Sequence, residues 1–485
     1  MSMIEPYRDQ LEAMTAELEE EHQLHGSGRK RTLDLSRVYA RYPDMVSLDR
    51  VVELREENAP LELQRFAAEA YLGDAVKELS DAVGNLEASL TVHASGEQVP
   101  YLAVRPRILN EPDAERRAAL HAARAETTAR ELNPLLWEKG QRERDLLPDV
   151  GAASMLELYH RFGYRPVELA DQTDAFLHDT EALYRDGIDH ALRRRVGLPL
   201  ENAGPQDLSR LWRAPEYDGT FPAERALHAL RATLGGMGID LDRQRNVELD
   251  VEARPGKRPR AFCAPVRVPD RVVLVVLPQG GHDDYRALFH EAGHLEHFAH
   301  ASRALPAEHR LLGDNGVTEG WAFLLEHLVS DPAWLSARLD VPRPDEYVRF
   351  TALAKLTIIR RYAAKLRYET ELHGGAPLDR MPARYAELLE AALLVPHPPG
   401  DHLDDVDPGF YSTCYLRAWA FEAQLVEFLR AEFGADWFRR RAAGSLLREL
   451  WELGQSLDVE QLLREVTGQR LEFGVLTQQL HEQLS

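Results

Sequence analysis

Apolar residues recur at three- and four-residue intervals along most of this chain, the spacing of helices that bury one face. The stretches 61–80, 113–145, 345–372 and 416–432 show it best. They are rich in Ala, Leu, Glu and Arg, residues that cost little in a helix. Gly204-Pro205, the run from Pro396 to Gly400, and Asp407-Pro408-Gly409 punctuate the pattern. Two segments break the period. Residues 90–105 (LTVHASGEQVPYLAVR) predict a small hairpin turning at Ser95-Gly96, and residues 247–277 predict three short strands, VELDVE, AFCAPVRV and RVVLVVL. The third strand leads through Pro278-Gln279-Gly280-Gly281 to a helix starting near Asp283. Asp283 and Asp284 suit the positive end of that helix. The expected fold is mainly α, with a small sheet feeding one particular helix.

Composition narrows the function classes without naming one. A chain of 485 residues can build a large core or two lobes. Its 80 acidic and 58 basic side chains leave a net charge of -22, which repels nucleic acid and anionic lipid, and no Lys/Arg block offsets it. The acidic, helix-like N-terminus has none of the regions of a secretory signal. The longest purely apolar run, Val272 to Leu277, is far too short to span a bilayer. Two cysteines, Cys263 and Cys414, do not make a disulfide scaffold, so a cytoplasmic protein is expected.

The chemistry concentrates in RALFHEAGHLEHFAH, residues 286–300. His290 and His294 are four apart, so on a helix they share a face one turn apart, and each can give an imidazole nitrogen to a tetrahedral zinc. Glu291 lies beside that face, where a general base would meet the attacking water. This is the HExxH spacing of zinc peptidases. A third ligand is needed. His300 nearly fits a longer His-containing pattern, but with His297 in place of a helix-breaking Gly the helix continues. His300 then lies roughly 120° around from His294. Glu319 is the better candidate: loop punctuation in LPAEHRLLGDNG lets the chain turn back, and GVTEGWAFLLEHL opens a second helix with Glu319 in its first turn. Glu326, seven residues on and on the same face, can orient a ligand imidazole.

With these residues the sequence resembles the thimet oligopeptidase and oligoendopeptidase F family. HEAGHLEH matches that family's HExGHxxH, and TEGWAFLLEH matches its second metal-binding helix. GKRPRAFCAPV and the run RVVLVVLPQGGHDDYRALFHE resemble its active-site sheet and zinc helix, and GFYSTCYLRAWAFEAQL its tyrosine-bearing helix. The likeness covers roughly 220–470 and is strongest at 255–330. It implies a two-lobed helical metallopeptidase with a deep cleft and one zinc per chain. An N-terminal helical lobe would span 1–205 and a catalytic lobe 206–485. It implies short peptide substrates, and assigns Tyr411 and Tyr415 to the tetrahedral intermediate. The strand edge near Ala261 and Cys263 would pair with an extended peptide, and His402 is a candidate substrate contact. The chain departs from the family at Arg260, where Gly is usual, at Gly320-Trp321-Ala322 after Glu319, and at the acidic DHLDDVDPG before the tyrosines. Two alternatives stand beside this reading. One is a related zinc carboxypeptidase, and the other a non-catalytic helical binding protein with a relic metal site.

Overall fold

The periodic stretches fold as helices close to where the spacing puts them, and 71% of the chain is helical, so the fold is mainly α. The computed structural model describes residues 4–341 and 344–484. Leu61–Ser89, Asp345–His373 and Ser412–Phe433 are single helices. The stretch 113–145 is Ala114–Thr127 and Asn133–Leu146, joined by a π-turn over Thr128–Leu132. The expected hairpin forms as β1 (Thr91–Ala94) and β2 (Glu97–Pro100), antiparallel. Its two turn residues, Ser95 (φ 51°) and Gly96 (φ 79°), both adopt the left-handed backbone that a two-residue loop demands. The hairpin is shorter than expected. From Tyr101 the chain is already the helix Tyr101–Asn110, because Tyr101, Val104 and Ile108 bury one helical stripe.

The chain divides into two compact units, and the division is not the single cut expected after residue 205. One unit comprises 1–67, 215–352 and 414–479; the other comprises 68–214, 353–413 and 480–485. The N-terminal segment joins the first unit for a local reason. Its helix α1 (Ile4–Gly26) ends against the sheet, where the Arg258 N–H donates to the Gly26 carbonyl at 2.9 Å and the Phe262 ring fills the space beside Gly26.

That sheet has three strands, β3 (Val247–Asp250), β4 (Phe262–Arg267) and β5 (Arg271–Val275), in the order β3-β5-β4. The central strand is the most apolar: Val272, Val273, Leu274 and Val275 are all buried. β3 runs parallel to it and β4 antiparallel, leaving β4 at an edge. After β5, Gly280 (φ 83°) and Gly281 (φ 89°) make a left-handed turn that other residues rarely adopt. Asp284 accepts the N–H groups of Gln279 and Gly280, and the chain enters α2 (His282–His300). This helix buries Tyr285, Leu288, Phe289, Ala292, Leu295 and Ala299 along one stripe.

The next helix of note, α3 (Asn315–Leu328), is capped by Asp314, whose carboxylate accepts the Gly316 N–H. It crosses α2 at Gly293. A Cβ at that glycine would sit 2.4 Å from the Trp321 carbonyl oxygen and 2.5 Å from Ala322 Cα, closer than such atoms ever approach. Only a residue without a side chain lets the two backbones meet.

In the second unit, α4 (Asp345–His373) contributes the segment from Leu353 onward, and its polar stripe secures the loop before α5 (Ser412–Phe433). Lys365 pairs with Asp407 at 2.9 Å and Asp405 at 3.5 Å, and Arg361 pairs with Asp405. One turn further on, wholly buried Glu369 accepts the Asp407 N–H at 2.9 Å and the Ser412 hydroxyl at 2.6 Å. Burial pushes the Glu369 carboxyl up to about 8, against the pull of Lys365.

Two consequences are measurable. Gly293→Ala should cost about 1–3 kcal/mol or more through overpacking, seen as a lower Tm. The Glu369 carboxyl is protonated in the fold and ionised in the unfolded chain between its ordinary 4.5 and about 8, so its contribution to stability is lost as pH rises through that window, at up to about 1.4 kcal/mol per unit. Glu369→Gln, which cannot ionise, should therefore gain in Tm over the parent from pH 5 to pH 8. A constant Tm difference across that range would refute the assignment.

Candidate metal centre

Because α2 and α3 meet at Gly293, three side chains converge. The ligand atoms of His290, His294 and Glu319 all lie within 4.8 Å of one another. Nε2 of His290 is 3.4 Å from Glu319 Oε2, and Nε2 of His294 is 3.8 Å from the same oxygen. A tetrahedral zinc with bonds of about 2.0–2.1 Å holds its ligand atoms roughly 3.3 Å apart, so this donor set fits with a small contraction. Glu319 is the fifth residue of α3, one residue later than expected. It is buried, and the helix start is capped by Asp314 instead.

The outer nitrogens of both imidazoles are already taken. Nδ1 of His290 is 2.9 Å from Glu326 Oε2; an ionised carboxylate only accepts, so Nδ1 carries a proton and Nε2 is the nitrogen left to face Glu319. Nδ1 of His294 is 2.8 Å from the Thr318 hydroxyl. Thus α3 supplies a candidate ligand, Glu319, and an orienting partner for each of His290 and His294. Glu326 is shared: its other oxygen accepts from Arg286, with Nε at 3.0 Å.

Electrostatics distinguish the two histidines. Burial opposes the charged form of His290, but the hydrogen bonds and charges of Glu319 and Glu326 outweigh it and push its pKa up to about 10. For His294 burial prevails, helped by the neighbouring His290, and the pKa falls. Burial would raise Glu326, yet Arg286 and His290 hold it well below the usual carboxylate range.

Glu291 points toward the sheet, where its Oε2 accepts the Cys263 N–H of β4 at 2.9 Å. The edge strand therefore anchors the expected general base, and the Cys263 amide proposed for peptide pairing already has a partner. Ala261, just before β4, is buried. Burial, reinforced by Glu291, raises the Cys263 thiol well above its ordinary value. His297 and His300 turn elsewhere, to the Gly454 carbonyl at 3.2 Å and the Glu296 carbonyl at 2.9 Å, so neither joins the cluster.

Of the two tyrosines, Tyr415 belongs to the same unit as the metal ligands. Its ring centroid is 6.1 Å from that of Phe323, which lies 5.2 Å from the His290 ring. Tyr411 belongs to the other unit, as does His402. His402 is buried, with Nδ1 3.1 Å from the Pro399 carbonyl and its own carbonyl accepting from Tyr368. Burial lowers its pKa. The acidic run around it is not an open charge patch. Asp401 pairs with Arg124, Asp404 with Arg124 and Arg105, and Asp405 and Asp407 pair with the α4 cations already described.

Sequence reasoning did not single out Thr318 or Arg286. Thr318 could have been suspected from its place beside Glu319, and Arg286 from its position one turn before His290. Among the described residues no helix is long and apolar enough to cross a membrane. No protein-family model matches this chain, and no curated protein is found to be similar to it.

Proposed function

We propose that this chain is a zinc-dependent peptidase acting on short peptides. The observation that carries the reading is the convergence of two imidazole Nε2 atoms and one carboxylate oxygen from crossing helices, with both outer imidazole nitrogens held by partners on α3. Two imidazoles and one carboxylate suit zinc, and three protein ligands leave a coordination position for solvent. When bound, zinc lowers the pKa of its water to about 7 and polarises a carbonyl oxygen.

The protein's own groups supply the rest. Glu291, tied through Oε2 to the Cys263 N–H, has its other oxygen to take the proton of the attacking water and return it to the leaving amine. The half-buried Tyr415, in the aromatic cluster beside His290, is the better placed of the two tyrosines to donate to the carbonyl oxygen as negative charge develops on it. The likeness to thimet oligopeptidase and oligoendopeptidase F supports short peptides as substrates, bound in a deep cleft between two lobes. That Cys263 and Cys414 form no disulfide supports a reducing, cytoplasmic setting.

Metal analysis of the purified protein should find about one zinc per chain, and His290→Ala should lose both the metal and activity on a mixed peptide pool. Glu291→Gln should retain zinc while turnover drops on the order of 10²–10⁴-fold. Wild-type protein without metal after gentle purification, or a fully active Glu291→Gln variant, would sink the proposal. Mass-spectrometric mapping of the cuts separates internal cleavage from release of single C-terminal residues.

A further inference from the structure

We propose that Arg286 is a positioning residue of the metal centre, acting through Glu326 to hold His290 in its ligating orientation. This rests on the metal reading above. Arg286 and His290 stand four residues apart on α2, so both face the same carboxylate across on α3. They divide it between them. Arg286 takes Oε1 from Nε at 3.0 Å and from Nη2 as well, leaving Oε2 to His290 Nδ1 at 2.9 Å. Arg286, Glu326 and His290 thus form a relay that ends at the ligating Nε2.

The pair depends on the Arg286 charge because of what surrounds it. The Glu326 side chain is 16% exposed and that of Arg286 29%, so neither is well solvated. Asp283, one turn earlier on α2, is exposed and paired with Arg260 at 2.9 Å. Tyr347 also lies near the guanidinium, and its hydroxyl is buried without a hydrogen-bond partner. Among the described residues, Arg286 is the arginine that pairs with Glu326. A carboxylate shut away from water and deprived of its cation is expensive to keep. Without Arg286 its cheaper course is to turn toward solvent, and in doing so it releases His290. His294 is not exposed to this failure, because its partner, the Thr318 hydroxyl, carries no charge and needs no counter-ion.

The relay can be separated from a merely structural role by a double-mutant cycle on zinc affinity, measured by chelator competition with the full chain. Arg286→Met and Glu326→Gln should each weaken zinc binding by about 10–100-fold. The double variant should bind no more weakly than Glu326→Gln alone, since Arg286 has nothing left to hold. Arg286→Lys, which restores the charge, should recover most of the loss. Losses that multiply in the double variant, or Arg286→Met binding zinc like the parent, would overturn the proposal. Should Arg286→Met fail to fold, comparing the double variant with Glu326→Gln still decides, because neither buries an unpaired carboxylate at that position. Absence of zinc binding in the parent protein would instead remove the metal reading beneath it.

Discussion

The structure of the unit that holds His290, His294 and Glu319 depends on a backbone contact that permits no side chain. At Gly293 the α2 helix rests on the Trp321 carbonyl and Ala322 of α3, and the separation of the two axes there sets the distance between every pair of groups they carry. His290 and His294 lie a turn apart on one side of the contact, and Thr318, Glu319 and Glu326 face them from the other. A bulkier residue at the crossing would move all five groups at once. Packing and chemistry are therefore one problem here, because the same pair of helices supplies the core and the ligands.

The site was legible in the sequence wherever one helix fixes the geometry. The four-residue spacing of His290 and His294 needs only a helix to become a shared face, and the α2 stripe was plain. Exclusion of His300 followed from the same period, and the ring does turn back to its own helix. Glu319 was reached by less direct means, from loop punctuation and the start of a second periodic stretch. Thr318 and Arg286 were not singled out. A threonine beside a glutamate and an arginine on an amphipathic helix both have ordinary explanations, and only the crossing of α2 and α3 gives them partners.

The fold's class was legible and its partition was not. Helical periods are local, whereas the units are assembled from segments hundreds of residues apart, α1 with the sheet and the second part of α4 with the preceding helices. The hairpin was overread for a related reason. Tyr101, Leu102, Ala103 and Val104 form a short apolar run that a strand could also show, until Ile108 reveals a stripe of longer period. The acidic loop illustrates the reverse difficulty. Four aspartates read as a charged patch, but Arg105 and Arg124, which neutralise part of it, lie nearly three hundred positions earlier.

One arrangement couples two parts that could have been independent. The carboxylate proposed for proton transfer hangs from the main chain of β4, one of the sheet's two outer strands, rather than from another side chain. Main-chain donors cannot be exchanged by substitution, so this tether survives any sequence change that preserves the strand, apart from proline. It also makes the acceptor's aim a property of the strand's position. Whatever shifts that border of the sheet, by even a fraction of a bond length, re-aims the proton acceptor with it.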